Sequence, residues 1–192
     1  MNVVNLKRKR FLEVSLKLIH EKGFKGTTMR DIATQLNCDV ANVYNYVDSK
    51  QALLEEKLFE ISGAFHESIN NILISSYSPV DKLKAIVSFH IQLTSRRPFE
   101  VALLVNEWRN LKEPILSKFL EEKGGYEDKV RSIIKEGINS GVLRDMDLEI
   151  ATFAMLSSIR WLHDKYTDPA KTVNPIELEK QISDFILEGM RA

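Results

Sequence analysis

The stretch from Thr27 to Lys50, TTMRDIATQLNCDVANVYNYVDSK, decides the fold of this chain. It has helix-forming residues at both ends and a polar break at Asn37-Cys38, so it predicts two short helices separated by a turn. Thr28 followed by Asp31 is the pattern of a capping box, which indicates that the first helix begins directly after Thr28. A segment that only builds a core is normally longer and more apolar, so this one is expected to present side chains at a surface.

The second short helix is expected to run from Val40 to Tyr46, with Asp39 as its N-cap. Two short helices joined by a turn of three or four residues, the first carrying the small Ala33 at the crossing, form a helix-turn-helix. This motif places its second helix in the major groove of DNA, where some side chains reach base edges and flanking groups hold phosphates. The stretch therefore predicts a DNA-binding head.

The candidate DNA contacts are side chains of this motif and its flanks: Thr27, Thr28, Arg30, Val40, Asn42, Tyr44, Asn45, Tyr46 and Lys50. The threonine and tyrosine hydroxyls and Lys50 are predicted to contact phosphates, since hydroxyl donors and a cation suit an anion. Asn42 and Asn45 are predicted to read base edges, because an amide can form two hydrogen bonds with adenine. Two alternatives stay open at this point: the tyrosines close the small core of the head, and Val40 and the asparagines are plain surface.

The charge of the chain is distributed unevenly, although its formal total is zero. Residues 1–50 hold nine Lys or Arg and five Asp or Glu, a net charge of +4 that the remainder balances with −4. A basic first quarter on an acidic body indicates a local contact with a polyanion. The basic run Lys7–Arg10 is either a solvated helix start or an arm that reaches the DNA backbone or minor groove.

The single cysteine, Cys38, excludes an intrachain disulfide and a thiolate metal cluster within one chain, which fits a reducing compartment. Cys38 itself is expected to be a small turn residue rather than a redox sensor. The first residues contain no uninterrupted apolar stretch of signal-peptide length, and no run approaches the roughly 18 apolar residues of a membrane span. A cytoplasmic protein without a membrane contact is expected.

Helical periodicity dominates the rest of the chain, and no convincing run of alternating β-branched residues appears. The pattern predicts an all-α protein of about nine helices, with a DNA-binding domain at 1–52 and a helical regulatory and dimerisation domain at 53–192. A long helix from Ser49 toward Ile74 is predicted to join the two. Gly124-Gly125 is expected to interrupt or kink the helix that Pro114 begins.

Between about Phe11 and Leu58 a series of short motifs occurs in order: Glu21-Lys22-Gly23-Phe24, Thr27-Thr28, Ile32-Ala33, Asp39, Val43-Tyr44 and Ser49-Lys50 before a leucine pair. With these motifs the chain resembles the TetR family of bacterial transcriptional regulators. Where the family usually has Gly-Val-Ser, this chain has Asn37-Cys38-Asp39, which puts a carboxylate where a serine commonly touches phosphate. The resemblance implies a dimeric regulator whose helix-turn-helix heads bind a palindromic operator in double-stranded DNA.

Residues 100–166 resemble members of that family that regulate lipid and acyl-CoA metabolism, through Glu107-Trp108-Arg109, Gly141-Val142-Leu143-Arg144 and Arg160-Trp161. That resemblance implies a small hydrophobic or acyl-CoA-like effector. Bulky apolar side chains with a few polar groups are typical of a ligand cavity between helices. The predicted lining comprises Phe89, His90, Phe99, Leu103, Trp108, Arg109 and Tyr126. The alternative is that these side chains fill a solid core and that no effector exists.

The last two helices are predicted to form the interface of a homodimer. The final helix carries Ile182, Phe185 and Ile186 at helical spacing. The preceding helix carries a stripe that includes small residues, which let helices approach closely: Ala151, Ala154, Met155, Ser158 and Leu162. Two copies of this pair are expected to pack as an isologous four-helix bundle.

The function predicted from these features is a transcriptional repressor that a small hydrophobic ligand releases from a palindromic operator. One alternative is a DNA-binding protein of the same fold that a protein partner controls, with no small-molecule inducer. Another is an all-helical enzyme or lipid carrier with a vestigial motif. The sequence shows no Ser/His/Asp set, phosphate loop or close carboxylate pair, and its four histidines lack metal-ligand spacing. Neither an enzyme nor a cofactor or metal site is therefore expected.

Overall fold

The computed structural model describes residues 3–168 and 170–192, and of residues 3–5 the backbone alone. Within these residues the chain forms ten α-helices and one short 3-10 helix and no strand, so the all-α prediction is confirmed. The helices are α1 Val3–Gly26, α2 Met29–Gln35, α3 Val40–Val43, α4 Lys50–Leu73, α5 Pro79–Arg96, α6 Pro98–Asn106, the 3-10 helix Trp108–Asn110, α7 Ile115–Asn139, α8 Leu148–Arg160, α9 His163–Thr167 and α10 Pro175–Met190.

The chain divides into two compact units. The first comprises Met1–Ile61 and Phe99–Lys118, so it extends past the predicted domain boundary at residue 52 and also includes most of α6. Its core consists of fully buried aliphatic and aromatic side chains of α1, α2 and α4, among them Phe11, Ile19, Ile32, Leu53, Leu54 and Leu58. These positions recur every three or four residues, which is the spacing that gives each helix one apolar face.

The second unit comprises Ser62–Pro98 and Phe119–Ala192. In it α10 packs against α5 and α8, around buried side chains that include Leu83, Ile86, Ile91, Ile133, Leu156 and Leu187. Three of its helices begin at a polar N-cap whose side chain accepts backbone N–H bonds: Ser78, Asp147 and Asn174. Each cap satisfies amides that have no partner inside the helix, and thereby fixes where the helix begins.

One local expectation is wrong, and another is confirmed only in part. Gly124-Gly125 does not break α7, which runs without interruption from Ile115 to Asn139; glycine lowers helix stability by only about 1 kcal/mol per residue, which the buried face of a long helix offsets. Asp39 is the N-cap residue of α3, as expected, but its side chain makes no capping hydrogen bond.

Within residues 3–168 and 170–192, none of the helices has the length and apolarity needed to cross a bilayer. The same residues contain no group of three or more His, Cys, Asp or Glu side chains placed to hold a metal ion.

Candidate nucleic-acid interface

The corner between α1 and α2 is built by hydrogen bonds to main-chain carbonyls. Gly23 has a φ of 74°, a left-handed conformation that glycine adopts without a steric penalty, and it bends the chain at the end of α1. Thr27 is completely buried, and its hydroxyl donates to the carbonyl oxygens of Leu18 at 3.2 Å and Gly23 at 2.9 Å. Carbonyl groups that have lost their helical partners at the end of α1 are thus satisfied by a side chain.

A reciprocal cap fixes the start of α2. The Thr28 hydroxyl accepts from the Asp31 amide at 3.1 Å, and the Asp31 carboxylate accepts from the Thr28 amide at 2.8 Å. Lys22 donates to the same carboxylate at 2.9 Å. Hydrogen bonds from Thr28 and then from Lys22 hold the pKa of the Asp31 carboxyl well below its usual range. The capping box predicted from the sequence is therefore present.

The second helix of the motif is shorter than expected. α3 is helical only from Val40 to Val43, and the chain continues through a turn in which the amide of Asn45 donates to the carbonyl of Asn42 at 3.3 Å. Tyr46 follows the turn, half-buried, with its ring stacked on Phe11 at a centroid distance of 5.2 Å. Tyr46 thus helps to close the small core of the head, which is the alternative that the sequence left open.

Several of the predicted DNA contacts are exposed side chains of this motif. Arg30 of α2 is exposed, as are Asn42, Tyr44 and Asn45 of α3 and its turn, and Tyr44 exposes 51% of its surface. Thr28 is also exposed, and Val40 is half-buried. These side chains give the surface a cation, a phenolic hydroxyl and two amides, which are the groups that proteins use against phosphates and base edges.

One of the predicted phosphate contacts is corrected by the structure, and a second has partners inside the head. The Thr27 hydroxyl is buried and already bonded, so it is not available to a phosphate. Lys50 is half-buried, and its Nζ donates to the carbonyl oxygens of Phe24 and Thr27, each at 2.5 Å, while lying 4.4 Å from the centre of the Phe24 ring. The motif identifies both residues, but both are turned toward the inside of the head.

The basic run near the start of α1 is exposed throughout, from Lys7 to Arg10. Arg8 donates to Glu56 of α4 at 2.7 Å, and Lys9 lies 3.8 Å from Glu13. These are surface ion pairs, which contribute little to stability and leave the side chains free to change partners. The run therefore adds positive charge to the head without a fixed internal role.

The predicted ligand-binding residues fall into two groups, one in each unit. In the second unit His90 is buried, its Nε2 lies 2.8 Å from the Tyr126 hydroxyl, and Phe89 and Tyr126 meet the ring of Phe65 at centroid distances of 5.7 and 6.1 Å. Burial, and to a smaller extent the charge of Arg160, lowers the pKa of His90 to about 3. Burial also raises the pKa of the Tyr126 phenol. Both groups are therefore uncharged at neutral pH.

In the first unit Phe99 and Leu103 line a small cavity of about 20 Å³, together with His20, whose ring lies 5.6 Å from that of Phe99. This volume holds about one water molecule. The guanidinium of Arg109 lies 4.3 Å from the centre of the Trp108 ring.

Most of the dimer residues predicted on α8 and just beyond its end face inward, which corrects the expected stripe; Ala154 is the member that is exposed. Met155 and Leu162 are buried in the core of the second unit, and Ala151 belongs to the same apolar cluster, while Ser158 is half-buried. Two large apolar side chains of α8 are exposed instead, Ile150 at 70% and Phe153 at 69%, and Trp161 follows at 42% beyond the end of the helix.

On α10 the three residues predicted for the dimer interface differ in their exposure to solvent. Phe185 is 77% exposed, Ile182 is half-buried, and Ile186 is buried. We refer to Ile150, Phe153, Trp161 and Phe185 as the apolar face of the second unit. The sequence contains this face on α8 as a second set of apolar positions, Ile150 and Phe153. Its pattern does not distinguish this set from the buried set, Ala151 and Met155.

A helix-turn-helix built on a three-helix core, with a basic surface of amide and hydroxyl side chains, defines the class of DNA-binding proteins that recognise a groove with a short helix. Two family models match the chain: "Bacterial regulatory proteins, tetR family" over residues 11–56, and "Tetracyclin repressor-like, C-terminal domain" over residues 76–190. The chain belongs to the TetR family of bacterial transcriptional regulators.

Individual relatives are distant but cover nearly the whole chain. The HTH-type transcriptional repressor KstR2 of Rhodococcus jostii is 24% identical over 186 residues, which cover 96% of this chain and 91% of that protein. The structure of the ketosteroid transcriptional regulator KstR2 of Mycobacterium tuberculosis matches with a TM-score of 0.89 at 19% identity, covering 97% of this chain and 95% of that one. The structure of AibR in complex with isovaleryl coenzyme A and operator DNA matches with a TM-score of 0.77 at 22% identity, covering 96% and 97%.

Proposed function

We propose that this protein is a homodimeric repressor that binds a palindromic DNA operator through α2 and α3 and is released by a small, largely apolar acyl ligand. This proposal has two parts, the DNA half (operator binding) and the ligand half (release by a ligand). The DNA half is carried by four exposed side chains of a helix-turn-helix whose corner is already held by internal hydrogen bonds: Arg30, Asn42, Tyr44 and Asn45. Side chains that have no internal task are the ones that are free to contact DNA. Family membership supports the same conclusion, and the name of the similar protein of Rhodococcus jostii, a transcriptional repressor, supports repression.

Dimerisation is supported by the apolar face. Ile150, Phe153 and Phe185 each expose more than two-thirds of their surface, and a cluster of large exposed apolar side chains on neighbouring helices marks an interaction surface. A palindromic operator requires two heads related by a two-fold axis, and an isologous contact between two copies of this face supplies that symmetry. The two recognition helices are then expected to enter successive major grooves about 34–36 Å apart.

The ligand half is supported by the cluster of Phe65, Phe89, His90 and Tyr126. Its polar groups are neutral, so it suits an apolar chain with an uncharged oxygen better than a bare carboxylate. Among the similar structures, AibR holds isovaleryl coenzyme A, and KstR2 of Mycobacterium tuberculosis is a ketosteroid transcriptional regulator. Both support an effector that combines a hydrophobic part with a polar handle, such as an acyl-CoA.

Ligand release obeys thermodynamic linkage. A ligand lowers operator affinity only if it binds more tightly to the conformation of the dimer that does not fit the operator. DNA must then weaken ligand binding by the same factor. α4 is the element that is continuous from the recognition head into the second unit, and we propose that a tilt of this helix displaces the head.

The DNA half is tested by incubating the full-length protein with random double-stranded DNA, recovering the bound fraction and sequencing it after repeated rounds. The expected result is one enriched palindromic motif. Enrichment of no motif, or of non-symmetric sequences, would contradict the proposal. The enriched duplex then serves as the operator in all further experiments.

The ligand half is tested by titrating acyl-CoAs of increasing chain length and the matching free fatty acids into the complex of protein and selected operator. Release by an acyl-CoA, with operator DNA weakening the binding of that acyl-CoA to the same degree, is the expected result. If neither series changes operator affinity, the ligand half fails and the DNA half stands.

A further inference from the structure

His66 of α4 has a buried ring nitrogen that lacks a partner. Its Nε2 atom is shielded from solvent and has no hydrogen-bond partner among the described residues. Most buried polar side-chain atoms of folded proteins are paired, so an unpaired one indicates a special role. The His66 ring lies 5.8 Å from the ring of Tyr126, with the two planes at 80°. The unpaired nitrogen therefore belongs beside the aromatic cluster that supports the ligand half.

A main-chain contact decides which nitrogen of His66 carries the proton. The main chain of Glu122 on α7 accepts a hydrogen bond from the ring. Since Nε2 is unpaired, the donor of this bond is Nδ1. Burial, and next the positive charge of Lys129, lowers the pKa of His66, so the ring is uncharged at neutral pH. A neutral ring with its proton on Nδ1 presents a lone pair at Nε2, which accepts a hydrogen bond and does not donate one.

The face of α7 that contacts His66 leaves space beside it. Glu122, Tyr126 and Lys129 recur at helical spacing on this face, and each contacts α4; Lys129 does so through a hydrogen bond of 2.8 Å. Gly125 shares the face, three residues after Glu122, and is half-buried. A Cβ atom at Gly125 would nevertheless meet no described atom within 4 Å. The helix thus carries a glycine, which costs about 1 kcal/mol, without a close neighbour that requires one.

We propose that Nε2 of His66 accepts a hydrogen bond from the effector, and that the preferred effector is an acyl-CoA whose acyl chain carries a hydroxyl group. This inference rests on the proposed release by an acyl ligand and names the polar group that such a ligand carries. A hydroxyl group donates a hydrogen bond, whereas the carbonyl oxygen of a thioester only accepts one. An unsubstituted chain would leave the buried nitrogen without a partner, which makes the hydroxylated chain the better ligand.

The neighbouring side chains suit the rest of such a chain. Phe65 and Phe89 meet edge to face at a centroid distance of 5.7 Å, and the ring of His90 lies 4.5 Å from that of Phe65. The nitrogen of His90 nearest to this surface is already bonded to the Tyr126 hydroxyl at 2.8 Å. Apolar carbon atoms can therefore contact the rings, and the hydroxyl group is left to His66.

The experiment titrates two series of ligands into the complex of the full-length protein and the selected operator. One series consists of unsubstituted acyl-CoAs, and the other of acyl-CoAs of the same chain lengths with a hydroxyl group at different positions. At least one hydroxylated ligand is expected to release the operator at a concentration about tenfold lower than its unsubstituted counterpart. Equal release by both series would overturn the inference and leave the ligand half intact. Release by neither series would remove the ligand half, and this inference with it.

Three variants of His66 test whether this residue accepts the hydrogen bond. His66→Phe keeps an aromatic ring without an acceptor and should respond equally to the hydroxylated ligand and its counterpart. His66→Gln and His66→Asn are a matched pair, because the amide of glutamine reaches the place of Nε2 and that of asparagine only the place of Nδ1. The glutamine variant should keep part of the preference, and the asparagine variant should lose it. A preference that persists in His66→Phe, or that is the same in the two amide variants, would overturn the inference.

A measurement on the wild type keeps the inference testable if these variants do not fold. Imidazole nitrogen chemical shifts of His66 in the DNA-free protein distinguish the two neutral forms of the ring, and the form with the proton on Nδ1 is expected. The Nε2 signal should move when the preferred hydroxylated acyl-CoA is added and stay in place with the unsubstituted one. A proton on Nε2, or an Nε2 signal that both ligands or neither ligand moves, would overturn the inference.

Discussion

The α2–α3 surface and the apolar face of the second unit are both exposed, but they differ in chemistry. The first presents Arg30, Asn42, Tyr44 and Asn45, groups that water solvates well. The second presents Ile150, Phe153 and Phe185, whose exposure to water is unfavourable. A polar surface can remain free until a specific partner arrives, whereas an apolar one is stabilised by being covered at all times. The difference is the reason for which we propose a conditional contact with DNA at the first surface and a permanent contact between two copies of the chain at the second.

The largest effect is expected from placing a charge on the apolar face. The double variant Phe153→Asp, Phe185→Asp should shift the protein to monomers, because burying two carboxylates against apolar side chains is strongly unfavourable. Loss of central aromatic contacts typically costs at least about 2 kcal/mol each, so operator affinity should fall by more than about a hundredfold. Molar mass in solution measured by light scattering, together with operator titration, checks this.

Ile74→Asp is the control for this prediction. Ile74 is 85% exposed and lies at the end of α4, away from α8 and α10 in the sequence. The Ile74→Asp variant should keep the molar mass and the operator affinity of the wild type. A double variant that stays dimeric at micromolar concentration would show that the apolar face is not the permanent interface.

The next largest effect is expected from Asn45→Ala. If Asn45 reads a base, the variant should lose about 1–3 kcal/mol of discrimination at one position of each half-site and keep its affinity for operators altered there. Repeating the random-DNA selection with the variant checks this. An unchanged motif with unchanged affinity would place Asn45 outside the interface.

Acid should destabilise the fold through His90. The unfolded histidine has an ordinary pKa of 6.5 and takes up a proton as the pH falls below that value, whereas the folded one stays neutral until about pH 3. The depressed folded pKa means that stability is fully present above pH 6.5 and is lost as the pH falls through this window, by about 2 kcal/mol at pH 5. Denaturant unfolding of the wild type and of His90→Gln at a series of pH values should show a smaller loss in the variant. The pKa of His66 is lowered as well, chiefly by burial, so the variant should retain part of the pH dependence.

The smallest effect is expected in the head itself. Thr28→Ala removes the hydroxyl of the capping box and should lower the free energy of unfolding by about 1 kcal/mol, which denaturant titration measures. Thr28→Ser keeps the hydroxyl and should stay close to the wild type. Equal losses in both variants would indicate that the methyl group, and not the cap, is responsible.

Local signals in the sequence predicted the helical fold and the capping box, since both depend on residues three or four positions apart. They did not predict which way Thr27 and Lys50 point. A hydroxyl or an ammonium near a helix end suits a main-chain carbonyl as well as a phosphate, and only the packing of α1, α2 and α4 decides between the two.

The stripe on α8 failed for a different reason. α8 carries apolar residues at 150 and 153 as well as at 151 and 155, so its periodicity supports two apolar faces. With apolar residues on both, the pattern does not reveal which stripe belongs to the core of its own chain. Small residues at Ala151 and Ser158 suggested a close helix contact between copies, but these positions face the core or lie at its edge.

Tyr44 offers the most direct test of whether α2 and α3 form the DNA-binding surface. Replacing Tyr44 by a photoreactive p-azidophenylalanine and irradiating the complex with the selected operator should cross-link the protein to both half-sites. The same replacement at Tyr77, which is 57% exposed in the second unit, should give no cross-link. Cross-linking from position 77 and none from position 44 would contradict the assignment of α2 and α3 as the DNA-binding surface.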